Sequence, residues 1–147
     1  MKKGNAAVWI VAVVVVLLVL GYALKNRGSA PTGGESAVAA NSLSAGEQAA
    51  GKEAVIASVE LKDAAHLVIH AAGPDGSPAG VLGLVSLQPG SYQNVNVTLS
   101  EEAASGATLY AMLHPDLEGN GQYDAAAEGT PMTGADGAPL NVMLTVK

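Results

Sequence analysis

The chain has 147 residues, 49% of them hydrophobic and 14% charged, with no cysteine, no phenylalanine and a formal net charge of −6. The lack of cysteine excludes disulfides, thiolate metal sites and cysteine nucleophiles together. From residue 28 onward three lysines stand against all thirteen acidic residues. The resulting charge of −10 repels phosphate backbones, which argues against nucleic acid and for cations or a basic protein surface as partners.

The first element is the run Ala6 to Leu24 (AAVWIVAVVVVLLVLGYAL), which carries no charge. At about 1.5 Å per residue it covers about 28 Å, close to the thickness of a hydrocarbon core, so residues 6–24 are predicted to span a lipid bilayer as a single helix. A cleavable signal peptide has a shorter apolar stretch and a small-x-small site, whereas Lys25, Asn26 and Arg27 follow here. Residues 1–27 therefore read as an uncleaved signal-anchor rather than a cleaved signal. The Lys2-Lys3 leader keeps the N-terminus in the cytoplasm and the C-terminal domain outside. Trp9 and Tyr22 lie toward the two ends, where aromatic rings favour the interface. A buried core helix is the competing reading, but the remaining chain is too small to surround one.

Residues 28–52 (GSAPTGGESAVAANSLSAGEQAAGK) are Gly, Ala and Ser with isolated polar residues and little to bury. They are expected to form a flexible spacer with an end-to-end distance of about 30 Å.

Residues 53–147 change to short alternating runs divided by Gly, Pro and Asp, the pattern of antiparallel strands. Six strands are predicted. Val55, Ala57, Val59 and Leu61 form one face of the first, and Leu67, Ile69 and Ala71 one face of the second. Val81 to Leu87 is nearly continuous, hence central or buried on both faces. Val95, Val97 and Leu99 alternate with Asn94, Asn96 and Thr98, and Ala107 to Leu113 and Leu140 to Val146 complete the set. Gly73-Pro74-Asp75-Gly76 and Gln88-Pro89-Gly90-Ser91 supply turns. The fold expected is all-β, a small antiparallel two-sheet sandwich following the transmembrane helix.

The ordered strings VIH (Val68 to His70), GVLG (Gly80 to Gly83), NVTL (Asn96 to Leu99) and AMLH with Asp116 and Asn120-Gly121 resemble a domain family of unknown function. That family occurs in exported and surface proteins of haloarchaea and some bacteria. The resemblance covers about Ala54 to Lys147 and implies an immunoglobulin- or cupredoxin-like sandwich on an exported chain, with no activity attached. Glu118 departs from the pattern, which would have Asn or Asp.

Two constellations carry ligand chemistry. In Asp116 to Asp124 (DLEGNGQYD), oxygen ligands alternate around a glycine turn as Ca2+ requires: Asp116, Glu118, Asn120, the Gln122 carbonyl and Asp124. The twelfth position, where a bidentate Glu is needed, is Ala127, with Glu128 one residue late. The alternative is a tight Asn120-Gly121 turn with solvated acids. The second set is His70, His114 and Met112, with His66 nearby. In the strand reading His66 and His70 share one face, and Met112 and His114 share another, so a Cu or Zn site is conceivable while the missing Cys excludes a blue-copper centre. Structural histidines are the alternative. Asn96-Val97-Thr98 fits the N-glycosylation pattern. No nucleophile elbow or phosphate-cradling Gly loop occurs, so no catalytic residue is assigned and no enzyme is expected.

The chain is thus expected to be a single-pass cell-membrane protein whose extracytoplasmic sandwich has a structural or interaction role at the cell surface. It would engage a protein, the envelope or another copy of itself. A metal-binding surface domain is the alternative.

Overall fold

The computed structural model describes residues 38–147. The predicted membrane helix, residues 6–24, lies outside the described residues, as does most of the N-terminal half of the spacer. Among the described residues no helix is long and apolar enough to cross a membrane.

Seven strands form two antiparallel sheets: β1 (Ser42–Ala45), β2 (Gly51–Leu61), β3 (Ala65–Ala72), β4 (Pro78–Leu87), β5 (Gly90–Ala103), β6 (Thr108–Pro115) and β7 (Asn141–Thr145). One turn of helix, α1 (Ala125–Glu128), precedes β7. The three-stranded sheet has the order β1-β2-β5 and the four-stranded sheet the order β4-β3-β6-β7. The core between them draws Ala54, Ile56, Val59, Leu61, Val97 and Leu99 from the first sheet and Leu67, Ile69, Leu109, Ala111, Leu113 and Leu144 from the second. The fully buried side chains of this layer are all aliphatic, with Tyr92 and Met132 packed against them.

Three details differ from the strand reading. The first sheet begins at Ser42, inside the stretch expected as spacer. Three small residues and Leu43 give β1 little apolar surface, and backbone pairing with Ile56 to Glu60 of β2 holds it. In β2 the inward residues are Ala54 and Ile56, then Val59 and Leu61, so the alternation steps by one midway. Its partner β5 steps at the same level, from Tyr92 to Val95, where Asn94 adopts a left-handed φ of 51°. Asn tolerates that region better than most residues, and the extra rotation exchanges the faces of the strand. The third difference concerns β4, which is an edge strand with Val81 and Leu84 exposed. The strand buried on both faces is β3, where every residue from Ala65 to His70 is inaccessible.

The expected turns form where Gly and Pro place them. Gly76 N–H donates to the Gly73 carbonyl at 2.9 Å, with Gly76 at φ 79°. Asp75 Oδ1 accepts from Ser77 N–H and Oγ–H, and these bonds hold its carboxyl below the usual carboxylate range.

Candidate metal centre

The outer face of the four-stranded sheet carries histidines among Val68, Leu84, Met112 and Met143, where the inner face is aliphatic. The β3–β6 register pairs His66 with His114, Val68 with Met112 and His70 with Tyr110. Directly paired residues point the same way, so His66, His70, Met112 and His114 all occupy this outer face instead of two. Such a face would ordinarily meet water, yet His66 is 0% and His114 2% exposed. The segment from Asp116 through α1 supplies the cover. Its backbone returns as far as β4, where Ser86 Oγ–H donates to the Gly121 carbonyl at 2.8 Å. The Tyr123 ring stands edge-on to His66, with centroids 5.6 Å apart, and tilted over His114 at 5.2 Å.

Hydrogen bonds fix the tautomer of each ring. Ser86 has one hydroxyl proton, which it spends on Gly121, so the 2.9 Å contact between His66 Nδ1 and Ser86 Oγ requires Nδ1–H to donate. His70 Nδ1 faces the Ala79 carbonyl and His114 Nδ1 the Glu128 carbonyl, each at 2.9 Å. A carbonyl only accepts, so these nitrogens also carry protons. All three rings therefore turn Nε2 inward, and in each case it is buried without a hydrogen-bond partner. Burial holds His114 below the ordinary histidine range, the Glu128 carbonyl opposes that shift, and His70 and His66 reinforce it. Burial also raises the Tyr123 hydroxyl, assisted by Glu128 and Asp124.

Glu128 organises the covering loop. Its Oε1 accepts from Leu117 N–H at 2.8 Å and its Oε2 from Asp124 N–H at 3.0 Å. Asp124 caps α1 in return, Oδ1 accepting from Ala126 N–H at 2.8 Å. The exchange resembles a capping box with the glutamate one position later than usual. Asp116 Oδ2 accepts from Gly121 N–H at 3.0 Å, and Asn120 Oδ1 from Gln122 N–H at 2.7 Å. Asn120 Nδ2 donates to Glu118 Oε2 at 2.7 Å. The oxygens proposed for Ca2+ at Asp116, Glu118, Asn120 and Asp124 thus each accept a hydrogen bond within the loop or take part in one, and Gly119 and Gly121 turn the backbone at φ 64° and 68°.

Of the predicted loop ligands only Asp116 joins a convergent group of potential ligands. His66, Asp116 and Glu128 bring one ligand atom each to within 4.8 Å of one another, and no other such His, Asp or Glu group occurs among the described residues. His66 Nε2 lies 3.4 Å from Glu128 Oε2 and 3.8 Å from Asp116 Oδ1, with all three side chains essentially inaccessible. Glu128 carried a signal in the sequence that ligand spacing alone obscures: Asp124 and Glu128 flank three alanines, as a capped helical turn does. Asn96 is exposed on β5.

The fold defines a small all-β module of two antiparallel sheets, one of whose outer faces is covered around His66 and His114 by a loop. Residues 41–147 match the family model for a domain of unknown function (DUF7282), and the chain belongs to that family. It is also similar to cell surface glycoprotein 2 and cell surface glycoprotein 1 of Haloarcula hispanica, with 31% and 32% identity over 87 residues. Those residues are 59% of this chain and 9% of each relative, so the chain matches only a small part of the curated relatives' length. No solved structure is significantly similar.

Proposed function

We infer that this chain displays one sandwich module at the cell surface. Residues 6–24 hold it in the membrane, and a tether leads to an extracytoplasmic immunoglobulin- or cupredoxin-like domain with a structural or interaction role and no catalysis. The observation that supports this reading is the match to two cell surface glycoproteins, in which the same unit occupies 9% of a much longer chain. A unit that recurs as so small a fraction of larger surface proteins acts by being displayed. The acidic surface favours a basic partner surface, an envelope component or a second copy over nucleic acid. A second reading, a metal-binding surface domain, has in its favour the buried His66 and Asp116 atoms that no hydrogen bond satisfies.

An epitope tag after Lys147 tests the display reading. In intact cells the tag should be open to added protease, and the full chain should stay in the membrane pellet after an alkaline carbonate wash. A tag protected until lysis, or a chain released by carbonate, overturns it.

A further inference from the structure

His66 Nε2, Asp116 Oδ1 and Glu128 Oε2 face one another in a site almost closed to solvent. Because Ser86 fixes the His66 proton on Nδ1, a neutral His66 ring presents a lone pair to two carboxylate oxygens. Of these three acceptors Glu128 Oε2 has a donor, Asp124 N–H at 3.0 Å, whereas His66 Nε2 and Asp116 Oδ1 have none; turned together in a buried site they repel unless a cation lies among them. A proton on Nε2 is one such cation. It would bridge 3.4 and 3.8 Å, where charge-assisted N–H···O bonds are about 2.7–2.9 Å, and neither contact has hydrogen-bond geometry. A tetrahedral metal with bonds of about 2.0–2.2 Å instead holds neighbouring ligand atoms about 3.4 Å apart.

The surroundings suit a metal in two further ways. Each ligand is oriented through its other polar atom: His66 Nδ1–H by Ser86, Asp116 Oδ2 by Gly121 N–H, and Glu128 Oε1 by Leu117 N–H. Such outer contacts fix ligand direction and tautomer at metal sites. Two carboxylates and a neutral imidazole also carry the charge that a divalent ion cancels. We propose that His66, Asp116 and Glu128 bind one divalent first-row transition cation of the Zn2+ class beneath the Asp116 to Glu128 loop. One nitrogen and two carboxylate ligands suit Zn2+ better than Ca2+, which needs six to eight oxygens. Three protein ligands leave a fourth position for water. The bound ion joins β3 to both ends of the covering loop. This inference deepens the metal-binding reading and is independent of where the domain is displayed.

The test uses the full chain in detergent, stripped with chelator and titrated with ZnCl2, CoCl2 and CaCl2 by calorimetry, absorption and thermal melting. The expected results are one Zn2+ per chain, a Tm that rises with Zn2+ concentration, a visible absorption band of tetrahedral Co2+, and no displacement by millimolar Ca2+. His66→Gln and Asp116→Asn should each weaken Zn2+ binding at least about a hundredfold, since even outer-contact losses cost about 10- to 100-fold. His70→Gln, outside the ligand set, should change it less than about threefold. If either ligand variant fails to fold, 15N spectra of the unmutated chain decide: added Zn2+ should shift His66 Nε2 and leave His70 Nε2 in place. No Zn2+ binding at millimolar concentration, unaltered binding in the ligand variants, dependence on His70, or preference for Ca2+ overturns the proposal.

Discussion

Gln48 and Val55 exchange two hydrogen bonds: Val55 N–H donates to Gln48 Oε1 at 2.9 Å, and Gln48 Nε2 donates to the Val55 carbonyl at 2.6 Å. The same Nε2 reaches the Gly46 carbonyl at 3.0 Å, and the Gln48 main-chain carbonyl accepts from Lys147 N–H at 2.9 Å. The buried side-chain amide thereby ties the β1–β2 connection to the start of β2, while the Gln48 backbone holds Lys147. Gln48→Leu keeps the volume and removes every side-chain partner, leaving backbone groups unpaired. It should cost about 2 kcal/mol and lower Tm by about 10 °C. A Tm within about 2 °C of the unmutated chain would show that water replaces the amide without loss.

Gly83 of β4 is set by its neighbour on the other sheet. A Cβ there would lie 2.3 Å from the Thr98 carbonyl oxygen and 3.1 Å from Val97 Cγ1. The obstacle is backbone, so rotamer changes cannot relieve it. Gly83→Ala should destabilise the domain by about 2–3 kcal/mol. Gly80→Ala, three residues earlier on the same strand with nothing within 4 Å, should stay within about 0.5 kcal/mol. Denaturant melts of the pair decide the matter, and equal losses would mean that strand entropy, not the crossing of β4 over β5, governs both positions.

What the sequence made legible follows physical range. Val95, Val97 and Leu99 lie in β5, Leu109 and Leu113 in β6 and Leu144 in β7, each pointing inward as period-two alternation requires. Turns written in Gly, Pro and Asp are equally local. Features that depend on distant partners were not legible. β1 has one large apolar residue, Leu43, and exists because β2 offers it an edge. The step in β2 answers a left-handed Asn94 almost forty positions later. The apolar run in β4 suggested a central strand, whereas its position at an edge is a matter of sheet order. At the site, loop spacing points to Asp116 as a candidate Ca2+ ligand, and the strand pattern places His66 only near the histidine set. Their meeting with Glu128 requires the β3–β6 register and a loop folded back over the sheet, neither of which has a sequence period.

The capped turn at α1 is a local device with a remote effect, because it aims Glu128. Asp124→Ala removes the acceptor for Ala126 N–H and should destabilise the turn by about 1 kcal/mol. Leu117 N–H, which depends on Glu128 Oε1, should then exchange with deuterium about fivefold faster. Asp124→Asn keeps a side-chain oxygen at the cap and should restore most of the protection. Exchange at Leu117 that ignores both substitutions would mean that Glu128 is positioned by packing under Tyr123 and needs no cap.

Ser86 couples the sheet to its cover, accepting from His66 Nδ1–H and donating to the Gly121 carbonyl. Ser86→Ala deletes both bonds at once, with an expected loss of about 1–2 kcal/mol. Two local changes should accompany it. Amides in the Gly119 to Gln122 turn should exchange faster, since the loop keeps its contacts to Asp116 and loses its anchor on β4. The His66 ring, no longer required to hold its proton on Nδ1, should shift toward the Nε2–H tautomer, in which that proton points at the Asp116 and Glu128 oxygens. Long-range 1H–15N spectra of the histidine rings distinguish the two tautomers directly. An unchanged His66 pattern in Ser86→Ala would mean that the surrounding carboxylates, or an ion held by them, set the tautomer without help from the serine.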